Sequence, residues 1–286
     1  MLVLLGPGYE GRDDEVNALI QETGLTSYDL RARLCPGTWG VIKAFADGAQ
    51  ASRLTHRLLR FGLPVCEVSS NVSQDANRPI VYLRELRFES ESVILRLSER
   101  EMAVPYGALL VVVRGDVHLG RVSLNTSNYS TTNSIRPSST TLSTMSLNTN
   151  IGELGRETRG TIGQDVFCAA DLHFVTVPWI GRIDAREFVF PTESCIESGV
   201  AERLDRFVDD LATRAGIRVD RAFKTSSLTA HAIGSLRATT PSSNGPNSTR
   251  RSPGQCDELF DGYSRLVAEA ERQNLSRMLG IQRILG

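Results

Sequence analysis

Asp13-Asp-Glu-Val-Asn-Ala-Leu-Ile-Gln-Glu-Thr-Gly-Leu25-Thr-Ser-Tyr-Asp-Leu-Arg-Ala-Arg-Leu-Cys-Pro36 carries two helices back to back. Three acids fill the first turn of the first helix, where the helix dipole favours negative charge. Val16, Leu19 and Ile20 give it an apolar stripe, and Gly24 stops it in the left-handed C′ manner. Thr26, with Asp29 three residues on, caps the second helix. Leu30 and Leu34 face inward, and Pro36-Gly37 ends it. Working outward, Leu2–Leu5 reads as a short buried strand and Val41 to Phe45 as another. Asp47, followed by Gln50, opens a third helix in which Ala51, Leu54, Leu58 and Phe61 recur at helical spacing before Gly62 closes it. Val65–Val68 is the last strand. Residues 1–70 therefore predict a βααβαβ module.

The segment Val16 to Pro36 resembles the C-terminal domain of the bacterial ribosomal stalk protein, whose first helix ends in Thr-Gly-Leu and whose second is followed by a Pro before the next strand. Thr23-Gly24-Leu25 and Pro36 stand at the matching places, and Val41 to Val68 follows the same strand, helix and strand. The adaptor of the Clp protease uses this fold too. The likeness spans residues 2–68, about a quarter of the chain. It implies the fold and a habit of protein binding, with a surface on the first two helices around Glu22, Tyr28, Arg31 and Arg33. Neither specific function carries over. The stalk domain's factor-binding lysines are replaced by Glu22, Asp29, Arg31 and Arg33. The adaptor's Asn-Asp-Asp loop is replaced by Gly6-Pro7-Gly8-Tyr9-Glu10-Gly11.

Residues 79–122 change texture. Val81, Leu83, Leu86 and Phe88 read as a strand with a bulge, Glu89 to Ser92 as a turn, and Val93, Leu95 and Leu97 as an alternating strand. Pro105 marks a strand end before the apolar run to Val113. From 123 to 163 Ser, Thr and Asn dominate, which predicts a disordered insertion with too little apolar surface to offset its ordering entropy. Order is expected to return near Asp165. Leu172 to Val177 reads as a strand, Pro178 to Gly181 as a turn bearing Trp179, and Ile183 to Phe190 as another strand. Val200, Leu204, Phe207, Val208, Leu211 and Ala215 make a strong helical stripe, supported by Glu202 and Arg206 and ended by Gly216. On this reading residues 79–122 and 164–216 form one split antiparallel β-barrel closed by a helix. Its order of elements is similar to that of bacterial pleckstrin-homology-like domains. A linker at 234–256 leads to an amphipathic helix at 257–286, able to dock on its own protein or to meet a partner. The fold class expected is α+β, with the two modules closing separate cores.

The 286 residues carry a net charge of −1, which argues against nucleic-acid binding through a basic field. Lys43 and Lys224 are the only lysines. The apolar N-terminal run lacks a basic flank, and no run approaches the ~20 residues of a membrane span. Cys35, Cys66, Cys168, Cys195 and Cys256 show no metal or disulfide spacing, which predicts free thiols in a reducing cytoplasm.

No residue set has catalytic or metal-ligand spacing, and no cofactor is expected. The glycine loop after the first strand lacks Gly-Lys-Ser/Thr and precedes three acids, so it reads as a turn. His56, His118, His173 and His231 read as surface or packed residues. Trp179 is the aromatic of most interest: exposed it would be a binding hot spot, buried it would cap the barrel. The expected function is a non-enzymatic protein-binding adaptor or regulatory scaffold in the cytoplasm. The competing expectations are an enzyme built on a reactive cysteine and a barrel that binds a ligand or a membrane surface.

Overall fold

The computed structural model describes residues 1–75, 77–97, 100–125, 159–191, 199–224 and 255–278. The chain is α+β. The first module is β1 (Leu2–Leu5), α1 (Asp13–Thr23), α2 (Ser27–Arg33), β2 (Gly40–Ala44), α3 (Gly48–Arg60) and β3 (Val65–Val68). Its local chemistry follows the sequence. Glu15 accepts the backbone N–H groups of Glu10 and Arg12 at 3.0 Å each, and Gly24 takes φ of 70° to end α1. Thr26 and Asp29 form the reciprocal cap of α2. At α3 the Asp47 carboxylate accepts from the Ala49 N–H, with no part for Gln50 in that cap.

β1 lies between β2 and β3 and runs antiparallel to both. A central strand covered on two faces must be apolar at every position, which accounts for the unbroken Leu2-Val3-Leu4-Leu5. Val3 and Leu5 face the three helices; Leu2 and Leu4 face the other way, into a core shared with the rest of the chain.

The second part is not a barrel: among the described residues no sheet closes on itself. β4 (Ile80–Tyr82), β8 (Leu109–Asn125), β9 (Arg159–Phe174), β10 (Ile180–Asp184) and β11 (Val219–Lys224) form an open sheet in the order β11-β8-β9-β10-β4. β5 (Glu85–Phe88), β6 (Ser92–Arg96) and β7 (Glu101–Pro105) form a separate meander. The stretch expected as one bulged strand instead changes sheets. The Leu83 N–H donates to Arg182 O in one sheet, and the Arg84 N–H to Arg96 O in the other. Alternation alone registers buried faces, not which sheet supplies them.

Three further boundaries differ. β8 runs to Asn125 and β9 starts at Arg159, so antiparallel pairing enters both ends of the segment expected to be disordered. The ladder needs only backbone donors and acceptors, which polar composition does not remove. Strands before and after the insertion therefore share a sheet, and the rest of the insertion lies outside the described residues. β10 begins inside the expected turn, because Ile180 and Gly181 pair in parallel with Ile80 and Val81, and it ends at Asp184. β11 has no counterpart in the sequence reading, since its fully buried Asp220 breaks the apolar pattern. The linker, apart from Gln255 and Cys256, also lies outside the described residues.

The helix α4 (Val200–Ala215) appears where expected, with the Glu202–Arg206 pair at 2.6 Å and Gly216 at φ 63°. It packs with the meander on one face of the five-stranded sheet, and Phe207 meets the rings of Phe88 and Phe188 at 5.2 and 5.3 Å. The last helix, α5 (Gln255–Met278), docks on its own chain. Its Phe260, Tyr263, Leu266 and Val267 pack between Leu2, Leu4 and Val68 of the first module and Val111, Val113 and Phe223 of the open sheet. The layers are thus α1–α3, first sheet, α5, second sheet, then α4 with the meander. Each module keeps its own core and the two share a third, built on α5.

Gly115 on β8 makes that docking close. A Cβ there would stand 2.5 Å from the Phe260 ring and 3.0 Å from Phe223. Glycine is needed for the approach of the helix to the sheet.

Candidate functional site

The polar residues buried under α5 are the first place to look for chemistry. Arg182 holds Asp171 through two hydrogen bonds of 2.7 and 2.8 Å, and Asp261 of α5 lies 2.6 Å from the same guanidinium. Ser264 Oγ is 2.7 Å from His173 Nε2. A Ser, a His and an Asp therefore gather in one place. All three are fully buried, so no substrate reaches the hydroxyl. Burial pushes the His173 imidazole down to about 3, the neighbouring arginines Arg78, Arg272 and Arg265 adding to the effect against Asp171. A base that weak takes no proton from a serine near neutral pH. The cluster is a joint between β9 and α5. His173 points to the opposite face of β9 from Leu172 and Phe174, and that face is buried too, because α5 covers it.

A second joint ties α5 to the first module. The Trp39 backbone N–H donates to Asp220 at 2.9 Å, and the Tyr263 hydroxyl donates to Asp220 at 2.6 Å and lies 3.0 Å from Trp39 O. The Trp39 indole N–H donates to Glu271 at 2.8 Å, and Arg218 reaches the same carboxylate. Burial raises the Asp220 carboxyl despite these donors, and burial next to Asp220 raises the Tyr263 hydroxyl. The sequence reading placed neither Trp39 nor Asp220. The available signal was an aromatic directly before a strand and a lone acid inside a Val-x-x-Ala-Phe pattern.

The pH dependence follows. His173 is neutral in the fold and takes a proton in the unfolded chain below about 6.5. The folded pKa is the lower one, so its contribution is whole above about 6.5 and is lost as pH falls toward 3. Asp171, held below the usual carboxylate range by Arg182 against its own burial, acts in the same direction at lower pH. Stability measured by urea melts is expected to fall by up to about 1.4 kcal/mol per pH unit on this account. His173→Gln should flatten the slope between pH 6 and 4, taken as roughly the window between the two pKa values. An unchanged slope would remove His173 from the explanation.

The thiols offer no activated nucleophile among the residues described. Burial pushes Cys66 up to about 12 and Cys168 to about 11, the latter against the pull of Arg114. Cys35 is exposed in the turn after α2. The side chains of Cys195 and Cys256 lie outside the described residues. Among the described residues no group of three His, Cys, Asp or Glu side chains is placed to hold a metal, and no helix is long and apolar enough to cross a membrane.

The expected binding residues separate into two groups. Tyr28 is 80% exposed and Arg31 is exposed one helical turn away, so both present a free outer face of α2. Glu22 instead pairs with Arg57 of α3 at 3.0 Å, and Arg33 folds back to donate to Ile42 O at 3.1 Å. Trp179 is half-buried, its ring edge-on to Phe174 at 5.1 Å, and packs on the core beneath the meander.

Glu22 leads to a feature that the sequence reading missed. It stands at the rim of a groove of about 580 Å³ lined by Lys43 and Phe45 of the β2 end and by Gln50, Arg53, Leu54, His56, Arg57 and Arg60 of α3. Four permanent cations face one carboxylate there, on a chain whose net charge is −1. The signal was present as Arg53, Arg57 and Arg60 at i, i+4 and i+7. Arginines at exposed helix positions are ordinary in a sequence, so the row alone does not mark a site. Compared with protein-family models, curated proteins and solved structures, this chain shows no significant match to any of them.

Proposed function

We propose that this protein is a non-enzymatic cytoplasmic adaptor or regulatory scaffold whose first module binds another protein. The observation that carries the reading is how the polar groups are used. The buried His, Asp, Arg and Tyr side chains are engaged in joints that hold α5 between the sheets. The open faces of the first module, α2 and the groove along α3, keep exposed aromatic and cationic groups. A module joined to the rest of the chain through α5, with an open surface of its own, suits presentation to a partner. The likeness of residues 2–68 to the ribosomal stalk domain and the Clp adaptor supports protein binding by α1 and α2.

The test uses a photo-crosslinking residue placed at Tyr28 and, as a control on the second part, at Tyr82, which is also exposed. In lysate of the native host the Tyr28 probe is expected to give a discrete protein adduct that Arg31→Glu removes, and the Tyr82 probe none. No adduct at Tyr28, or equal adducts at both, would contradict the reading.

A further inference from the structure

We infer that the groove along α3 is a docking site for an acidic segment of a partner protein, a proposal that rests on the adaptor reading and gives it a chemical specificity. Arg53, Arg57 and Arg60 recur along one face of α3, a row of roughly 10 Å at the helical rise of about 1.5 Å per residue. Lys43 extends the row onto β2, where its ammonium rests 3.4 Å from Thr23 O at the end of α1. Only Arg57 of these cations has a carboxylate partner among the described residues, Glu22. Arg53 bonds just the Ala49 carbonyl of its own helix. Side-by-side cations without counter-charges repel one another, and an incoming set of carboxylates relieves that.

The choice of occupant follows from shape and balance. Phe45 and Leu54 give the groove apolar lining between the charges. This suits a chain that alternates acidic with apolar side chains. A flat anionic bilayer meets a convex patch more readily than a groove of this length. A nucleic-acid strand would look for a series of aromatic faces to stack on, where the groove offers the single phenyl ring of Phe45, and for a basic field continuing beyond the groove. Net charge −1 for the whole against four cations and one acid here leaves the remainder of the chain acidic. That remainder repels a long polyanion and tolerates a short acidic peptide.

The test is a fluorescence anisotropy titration of the full chain with a labelled peptide repeating Glu-Glu-Leu. The matched Gln-Gln-Leu peptide, a single-stranded oligonucleotide and phosphatidylserine vesicles serve as alternative ligands. Saturable binding of the Glu peptide is expected, weakening at least about tenfold in Arg53→Glu with Arg60→Glu and falling with added salt. Arg100→Glu, on the meander, should leave it unchanged. Arg53→Gln with Arg60→Gln repeats the measurement should charge reversal disturb the fold, which the melting curve reports. Absence of binding, equal binding of the Gln peptide, or tighter binding of the oligonucleotide or vesicles overturns the proposal. Crosslinking from Tyr28 tests the adaptor reading without any peptide. A silent titration beside a Tyr28 adduct removes the groove alone, and a missing Tyr28 adduct contradicts the adaptor reading whatever the titration gives.

Discussion

Arg182→Met should cost about 3–5 kcal/mol of folding stability, the largest loss expected of any single polar substitution in this chain. The guanidinium neutralises Asp171, which is fully buried, and Asp261 of α5 as well. Removing it strands one carboxylate out of reach of water. That carboxylate must then either stay charged in a poor medium or take up a proton. The second route gives the loss a pH signature. Below the pKa to which Asp171 rises in the variant, the acid is neutral and part of the stability returns, so the gap between wild type and Arg182→Met should narrow on acidification. Combining Arg182→Met with Asp171→Leu should recover much of the loss at neutral pH. A buried pair replaced by apolar residues of similar volume is often close to neutral. Urea melts of the three proteins decide it; an Arg182→Met loss below about 1 kcal/mol would mean that water already reaches the pair.

Phe260→Ala should cost a similar amount, about 3–5 kcal/mol, by a different route. The ring is fully buried, sits over Gly115, meets Phe223 at 5.2 Å and has the Arg182 guanidinium 5.0 Å from its centre. Truncation opens a cavity at the point where α5 touches the open sheet. Gly115→Val approaches the same contact from the strand side and should also destabilise, since its Cβ would overlap the Phe260 ring and crowd Phe223 beside it on the neighbouring strand. Both variants should loosen α5 before the first module's own core, which contains neither residue. Melting followed by intrinsic fluorescence and by circular dichroism would then cease to coincide, because Trp39 reports the joint. Coincident melts with an unchanged midpoint would contradict the role of this contact.

The first module was legible in the sequence almost to the residue, because its signals are local. Acids at a helix start, the Thr26–Asp29 box and glycines at helix ends act within a few positions of the backbone they satisfy. The second part was legible as elements and not as a sheet. Period-two patterns identified strands around Leu95 and Leu172. They carried no information on the parallel pairings of β4 with β10 and β11 with β8, which join segments far apart in sequence. The place of α5 was open in the sequence for the same reason. An apolar stripe such as Tyr263, Leu266, Val267 and Ala270 requires a covering surface without naming it. What named it here were polar residues, Asp220, His173, Asp171 and Trp39, whose partners lie as far as 232 positions away. Polar residues at buried strand positions read from sequence as interruptions. In the fold they are the fixing points of a helix. The groove was missed for the opposite reason: its cations occupy exposed positions where charge is ordinary, and their convergence depends on Lys43 from another element.

The fold requires α5 to be an internal layer. Hydrogen–deuterium exchange of the full chain tests this most directly. Amides of residues 260–270 should be protected to the same order as those of β1 and the β8 segment 109–117, all of which line or border the shared core. Exchange of α5 at the rate of an unstructured peptide, while β1 and β8 remain protected, would show a helix that is free to leave and would contradict it.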